Sequence, residues 1–251
     1  MVPLSNEISD VLAPSGRLRA AINFGNPVLA QKHPHSGEPQ GVSVDLAREL
    51  GRRLGVPVEL IRFDAAGKVF DASKSSSWDI AFLAIDPVRA AEITFTPPYV
   101  IIEGTYLVRE ESPLCAIADF DRLGVRIAVG RGAAYDLALT RSLRQAELVR
   151  ADTGAAALEL FVDRGLEAAA GVREQLVAFA GRHGGLRVVG GRFTVIEQAM
   201  AIPKGRGAGA GYLTGFIEEM KASNFVAAAL VRSGQHEASV APPQRISGEI
   251  Q

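Results

Sequence analysis

An apolar run that ends at an Asp-Pro pair constrains the fold of this chain more than any other feature. Residues 79–85 read DIAFLAI, which has the length and composition of a strand buried on both faces of a parallel sheet. Asp86 and Pro87 follow, and Asp directly before Pro is a strong signal for the start of a helix. The stretch therefore predicts a strand, a tight turn and a helix, with Arg89 in the first helical turn.

Arg89 is unusual at that place, because the first turn of a helix carries a positive partial charge that disfavours a cation. An arginine fits there if an anion joins it, since the guanidinium and free backbone N–H groups can bind one carboxylate together. The alternative is a solvated arginine that pairs with Asp86 or Glu92, because exposed arginines are common. The spacing alone leaves both interpretations open.

The same stretch resembles the family 3 solute-binding proteins of ABC importers, of the type that binds polar amino acids. The similarity rests on DIA at 79–81, Pro87-x-Arg89 and ITFTPPY at 93–99, in this order, and it extends over about residues 17–231. In that family the arginine holds the α-carboxylate of the ligand, so the resemblance implies this role for Arg89. It also implies a type II periplasmic-binding-protein fold: two α/β lobes joined by a two-strand hinge, with the ligand in the cleft between them.

The chain itself shows a weak internal echo that agrees with two lobes. The strand and glycine turn at residues 18–25 recur at residues 124–130, which indicates two similar α/β units. We predict that lobe 1 comprises residues 17–105 and 199–234, and that lobe 2 comprises residues 106–198.

The two ends of the chain are predicted to lie outside these lobes. Residues 1–16 form a polar lead-in, and residues 235–251, with Pro242-Pro243, form a disordered tail. The lead-in has neither a basic nor an apolar region of the kind a signal peptide needs. The family is periplasmic, so the alternatives are an export signal that was removed and a protein that works in the cytoplasm. Cys115, the only cysteine, excludes an internal disulfide.

The resemblance places candidate ligand-binding residues at strand ends and loops of both lobes: Phe24, Asn26, Phe82, Ala84, Arg89, Gly132, Ala133, Ala134, Gly171, Val172, Glu174 and Gln198. Phe82 and Ala84 stand where the family often has small hydroxyl residues. Phe24 or Asn26 stands where it has an aromatic that stacks on the ligand, although Phe24 could equally pack in the core and Asn26 could make a turn. Gln198 either faces the cleft or stabilises the hinge.

Two further segments depart from the family pattern. The loop GRGAAY at 130–135 keeps backbone donors but lacks the family's threonine hydroxyls. Gly171 and Val172 occupy the position of the aspartate that pairs with the ligand's α-ammonium, and burying an ammonium without a counter-charge costs several kcal/mol. The ligand is then a carboxylate without an α-amino group, or one whose amine meets backbone carbonyls, unless Glu174 replaces the aspartate.

Composition limits the partners. The formal net charge is −1, from 27 basic and 28 acidic side chains, and no basic block indicates nucleic-acid binding. No apolar run has membrane-spanning length, and His33-Pro34-His35 lacks further ligands at a metal-site spacing. We predict a monomer with no cofactor or metal, a small carboxylate ligand and an ABC permease as its partner.

Three functions are compatible with these features. The first is a binding protein that clamps a small carboxylate for ABC-type uptake and performs no chemistry. The second is an enzyme similar to cyclohexadienyl dehydratases, which resemble this family, with Glu174 or Glu167 as the general acid. The third is a cytoplasmic ligand sensor or carrier. We predict the first, because the sequence shows no catalytic dyad, metal set or nucleophile–base pair.

Overall fold

The structure is a computed structural model that describes residues 6–244. Strands and helices alternate over most of this length. The strands are β1 (Leu18–Asn23), β2 (Gln31–Lys32), β3 (Pro39–Gln40), β4 (Val58–Phe63), β5 (Ile80–Ala84), β6 (Ile93–Arg109), β7 (Arg126–Gly130), β8 (Glu147–Ala151), β9 (Ala168–Val172), β10 (Leu186–Val188), β11 (Thr194–Pro203) and β12 (Ser239–Val240). The helices are α1 (Asn6–Leu12), α2 (Val42–Leu54), α3 (Ala66–Ala72), α4 (Pro87–Ala90), α5 (Ala134–Ser142), α6 (Gly154–Asp163), α7 (Arg173–His183), α8 (Gly207–Ala222) and α9 (Phe225–Arg232).

One mixed sheet runs through both lobes. Its strand order is β4-β1-β5-β11-β6-β9-β7-β8, and β10 and β12 also pair with β6. β1 lies parallel to β4 and β5 in one lobe, and β7 lies parallel to β8 and β9 in the other. β6 and β11 run antiparallel to their neighbours between these groups. The architecture confirms the predicted two-lobe α/β fold.

β6 and β11 carry the chain between the lobes. β6 is 17 residues long, pairs with β11 as far as Gly104 and pairs with β9 from Gly104 to Leu107. Where β6 changes partner, a Cβ on Gly104 would lie 2.6 Å from Cγ2 of Thr194, so only glycine fits this close approach. The predicted crossings near Thr105 and Gln198 fall on these strands. The residue bounds of the lobes stay a prediction, because the sheet continues across both.

The first lobe forms around the elements that the apolar patterns indicate. All residues of β5 are buried, as expected for a central strand. Leu46, Leu50 and Leu54 of α2 are buried against the core, and the helix ends at Gly55 in the left-handed conformation (φ 69°). Trp78 is fully buried, and its Nε1–H donates to the carbonyl oxygen of Val69 at 3.0 Å. Trp78 is therefore a core residue.

The prediction of a disordered tail from residue 235 is wrong for part of that segment. β12 pairs with β6 beside Val100, and the N–H of Ala241 donates to the carbonyl oxygen of Tyr99 at 3.0 Å. The polar sequence before Pro242 does not predict this strand. β12 has only two residues, and it forms by pairing with the edge of β6. Residues 245–251 of the predicted tail lie outside the described residues.

The polar lead-in is partly helical, since α1 occupies residues 6–12. Leu12 is fully buried, and a Cβ on Gly209 of α8 would lie 2.8 Å from Cδ2 of Leu12. α1 therefore packs on α8. Residues 1–5 of the lead-in lie outside the described residues.

Candidate functional site

A cavity of about 40 Å³ lies between the two lobes. Its walls come from the loops after β1, β5 and β7, from the start of α6 and from Ile196 and Gln198 on the connecting strand β11. The carboxyl ends of parallel strands meet at one edge of a sheet, and the loops that follow them form the ligand crevice of open α/β folds. The cavity is therefore at the place where this architecture favours a ligand.

Many of the residues predicted from the sequence line this cavity: Asn26, Phe82, Ala84, Arg89, Ala133, Ala134, Val172 and Gln198. Others do not. Gly132 borders a neighbouring groove on the outer side of Arg89. Phe24 is half-buried, packs against the core and lies 5.9 Å (ring centroid) from Nζ of Lys32, so the structure favours the core-packing alternative.

Two polar residues of the cavity wall, one at the end of a strand and one at the start of a helix, were not predicted from the sequence. Asn23 is the last residue of β1, and its Oδ1 accepts from the N–H of Gly25 at 2.9 Å. Thr153 caps α6 by accepting from the N–H of Ala156 at 3.0 Å. Asn23 lies at a strand end and Thr153 lies just after one, the signal that also pointed to Asn26, so their positions could have been inferred.

Tyr135 and Ile196 also line the cavity, and no sequence signal identified them. The Tyr135 hydroxyl packs between Gly130 and Gly154. A Cβ on Gly154 would lie 2.9 Å from the hydroxyl oxygen, and a Cβ on Gly130 would lie 3.0 Å from it. Burial raises the pKa of Tyr135 to about 12. The phenol is therefore neutral at physiological pH and can donate or accept a hydrogen bond.

Arg89 is the buried cation of the cavity wall, with only 1% of its surface exposed. Its Nη1 donates to the carbonyl oxygen of Ala84 at 2.9 Å, and its Nη2 donates to that of Gly132, in the other lobe, at 2.8 Å. Among the described residues its buried Nε has no hydrogen-bond partner. Burial lowers the pKa of Arg89 to about 10, so the guanidinium stays protonated at neutral pH. A carboxylate beside Arg89 would supply both an acceptor and a counter-charge.

In lobe 1, α4 supplies few of the helix-terminal N–H groups expected beside Arg89, because Pro87 has no N–H. α4 is a single turn, and the Asp86 side chain accepts from the N–H of Val88 at 2.9 Å. In lobe 2, the N–H of Gly132 donates to Asp136 at 2.8 Å. The first turn of α5, which begins at Ala134, is the part of this loop whose N–H groups have no partner within the helix.

No Asp or Glu side chain of residues 6–244 lines the cavity. Beside Arg89 and the exposed Arg131, its polar groups are the amides and hydroxyls of Asn23, Asn26, Gln198, Thr153 and Tyr135. A wall that carries positive charge and neutral hydrogen-bonding groups favours an anion. It offers no counter-charge to an ammonium group.

Gly171 and Val172, which match the family's ammonium-binding aspartate, bring no charge to the cavity. A Cβ on Gly171 would lie 2.8 Å from Cδ2 of Leu176, so a side chain there would require Leu176 to move. Val172 lines the cavity and contributes an apolar surface there.

The two glutamates considered as substitutes lie away from the cavity wall. Glu174 faces a separate groove that includes His236 and Glu237, and burial raises the pKa of its carboxyl. Glu167 forms an ion pair with Arg126 at 2.9 Å, and this bond lowers the pKa of Glu167. Glu174 therefore does not take the place of the family's aspartate here, and neither glutamate is placed as a general acid in the cavity.

Residues 19–232 match the bacterial extracellular solute-binding proteins, family 3. The chain belongs to this family. No curated protein is similar enough to this family 3 protein to count as a match.

Solved structures share the fold of this family 3 protein. The solute receptor for L-cysteine of Neisseria gonorrhoeae has a TM-score of 0.78 at 22% identity, over 90% of this chain and 92% of that chain. The amino acid ABC transporter substrate-binding protein AbpA from Streptococcus pneumoniae, bound to L-arginine, has a TM-score of 0.77 at 16% identity, over 89% and 97%. The ancestral amino acid-binding protein AncCDT-1, a precursor of cyclohexadienyl dehydratase, has a TM-score of 0.73 at 23% identity, over 89% and 97%.

Two structural findings bear on the partners of this family 3 protein. None of the helices described between residues 6 and 244 has the length and hydropathy of a transmembrane segment. Within the same range, no group of three or more His, Cys, Asp and Glu side chains is placed to hold a metal ion.

Proposed function

We propose that this protein binds a small carboxylate-bearing solute in the cleft between its lobes. Arg89 carries the proposal, because its buried guanidinium has an N–H without an acceptor and lines a cavity whose described wall lacks acids. A bound carboxylate would accept from this guanidinium and offset the cost of burying its charge. Arg89 already bonds to a carbonyl of each lobe, and the cavity wall takes residues from both lobes, so a ligand on Arg89 would lie between the two halves of the clamp.

The ligand that suits the rest of the wall carries a neutral polar group instead of an ammonium next to the carboxylate. The amides of Asn23, Asn26 and Gln198 can each donate to or accept from a hydroxyl. An ammonium would lose its hydration without gaining a counter-charge, at a cost of several kcal/mol. A 2-hydroxy acid, which carries a hydroxyl beside its carboxylate, meets these conditions.

We propose further that the protein delivers this solute to an ABC permease, as a monomer outside the cytoplasm and without chemical conversion. The family description and the ABC transporter protein from Streptococcus pneumoniae support this role. The placement of Glu174 and Glu167 outside the cavity wall favours binding over dehydratase chemistry. Fractionation of cells that express the native gene would test the location, and recovery in the cytoplasm alone would favour a sensor or carrier.

Isothermal titration calorimetry with matched acids tests the ligand class. L-Lactate and L-alanine share a carbon skeleton and differ in a hydroxyl against an ammonium, as do L-malate and L-aspartate. We expect the better hydroxy acid to bind at least about tenfold more tightly than its amino acid, a difference of about 1.4 kcal/mol. Tighter binding of the amino acid in each pair would contradict the ligand class. Mass spectrometry of the small molecules that co-purify would extend the test to acids outside these pairs.

A further inference from the structure

The two lobes also meet outside the ligand cavity, where α3 of lobe 1 faces the loop before α5 of lobe 2. Gly67 of α3 and Gly132 of this loop approach so closely that a Cβ on Gly132 would lie 3.0 Å from Cα of Gly67. A Cβ on Gly67 would lie 2.9 Å from the carbonyl oxygen of Arg131. Cβ atoms rarely come this close to backbone atoms, so the absence of a side chain allows the two backbones to meet.

An ion pair joins the lobes beside this glycine contact. Arg141 of α5 contacts the carboxylate of Asp86 at 2.8 Å. The Asp86 side chain is only 4% exposed, whereas that of Arg141 is 47% exposed. Asp86 also caps α4, which fixes the direction of its carboxylate. A carboxylate in a buried position is costly without a cation, and Arg141 supplies one from the other lobe.

We propose that these two contacts, Gly67–Gly132 and Asp86–Arg141, form a latch that holds the lobes closed. Gly67, Asp86 and Arg141 lie outside the wall of the ligand cavity, so they act as positioning residues that set ligand affinity through closure. The latch consists of protein atoms alone. It therefore operates in the free protein, and it does not depend on the proposed carboxylate ligand.

Gly67→Ala is the most direct variant, because it adds one methyl group at the contact. Alanine has a higher helix propensity than glycine, so this change within α3 should preserve or raise the melting temperature. Gly181→Ala is the matched control, since Gly181 also lies in a helix and a Cβ there would meet no atom within 4 Å. Arg141→Ala removes the cation of the ion pair. Arg141→Lys keeps a cation there, so it should retain part of the closed population that Arg141→Ala loses.

Distances between spin labels in the free protein give the readout. One label is placed on Cys115, the exposed native cysteine between β6 and β7, and the other on a cysteine that replaces the exposed Lys74 near the end of α3. We expect wild type and Gly181→Ala to show a closed population. Gly67→Ala and Arg141→Ala should each lower the closed-to-open ratio about tenfold.

Two results would overturn the latch. The first is a wild-type protein that is entirely open without solute. The second is an unchanged distance distribution in Gly67→Ala and Arg141→Ala. No solute is added in this experiment, so its result is independent of the test of the carboxylate ligand.

Discussion

Arg89 shows how far a sequence pattern can lead to a site. The Asp-Pro-x-Arg spacing after a buried strand places the guanidinium at the strand end, where the crevice of an open α/β sheet lies. Its partners could not be predicted in the same way. The carbonyl oxygen that Nη2 contacts belongs to Gly132, 43 residues further along the chain and in the other lobe. Local spacing gives a residue's position in its own element, whereas partners across a cleft depend on the tertiary arrangement.

Arg89→Ala should weaken the binding of a carboxylate ligand by about 100-fold or more, since it removes the cation of a buried charge pair. Calorimetry with the acid that binds wild type most tightly would measure this loss. Arg62→Ala is the control, because Arg62 is an exposed arginine on β4 of the same lobe and its loss should leave affinity unchanged. If the Arg89 variant is folded and keeps wild-type affinity, Arg89 does not contact the ligand.

Glu174 shows that closeness in sequence does not by itself place a side chain in a site. Its sequence distance of three residues from Gly171 made it a candidate for the family's ammonium-binding position. The structure ends β9 at Val172 and begins α7 at Arg173, so Glu174 follows helical geometry and faces the segment around His236. The boundary between a strand and a helix determines which way such a side chain points, and the sequence around residue 172 gives no sharp signal for that boundary.

The elements themselves were predictable where their patterns are long. β5 lies in a continuous apolar run of strand length, and the leucines of α2 recur every four residues, so the local pattern alone indicates both elements. β12 has two residues and no period of its own. It forms because β6 has an edge beside Val100 that can accept another strand, and that edge exists only in the folded sheet.

A cluster of charges joins α2 to α8 and gives a pH-dependent prediction. Arg53 of α2 donates to Glu219 of α8 at 2.7 Å and to Glu49 at 2.8 Å. Arg52 also donates to Glu49 at 2.8 Å. Mainly through its bond to Arg52, these contacts lower the pKa of Glu49 from 4.5 to about 2. The charged form of Glu49 therefore stabilises the folded state above pH 4.5, and this stabilisation is lost as the pH falls toward 2.

Glu49→Gln should lower the free energy of unfolding at pH 7 by about 1 kcal/mol, because it removes the charge that both arginines contact. The difference from wild type should shrink between pH 4.5 and pH 2, because Glu49 of the unfolded wild-type chain takes up a proton in this range whereas folded Glu49 stays charged. Urea denaturation at pH 7, 4 and 2.5 would measure it. Glu59→Gln is the control, since Glu59 and Arg17 form an exposed pair at 3.5 Å that should contribute little. A difference that stays constant over this pH range would rule out the charge as its cause.

At the scale of the whole molecule, one continuous sheet joins the two lobes. The internal echo in the sequence indicated two α/β units, and the structure has them. The echo did not reveal that one sheet passes through both, because that continuity comes from β6, whose single run of 17 residues changes partner from β11 to β9 at Gly104. Lobe 1 also takes elements from both ends of the described chain, with α1 packed against α8.

This continuity predicts that the two lobes unfold together. Disruption of β6 would remove ladder partners from β11 in one lobe and from β9 in the other at the same time, so neither lobe keeps a complete sheet after the other has unfolded. Trp78, the only tryptophan, reports on lobe 1, and a fluorophore on Cys115 reports on the segment between β6 and β7. In urea the two midpoints should agree within about 10%, and both should match the midpoint from circular dichroism. A Cys115 signal that changes at clearly lower urea than the Trp78 signal would show that lobe 2 unfolds separately, and that the shared strands are a flexible connection instead of a common core.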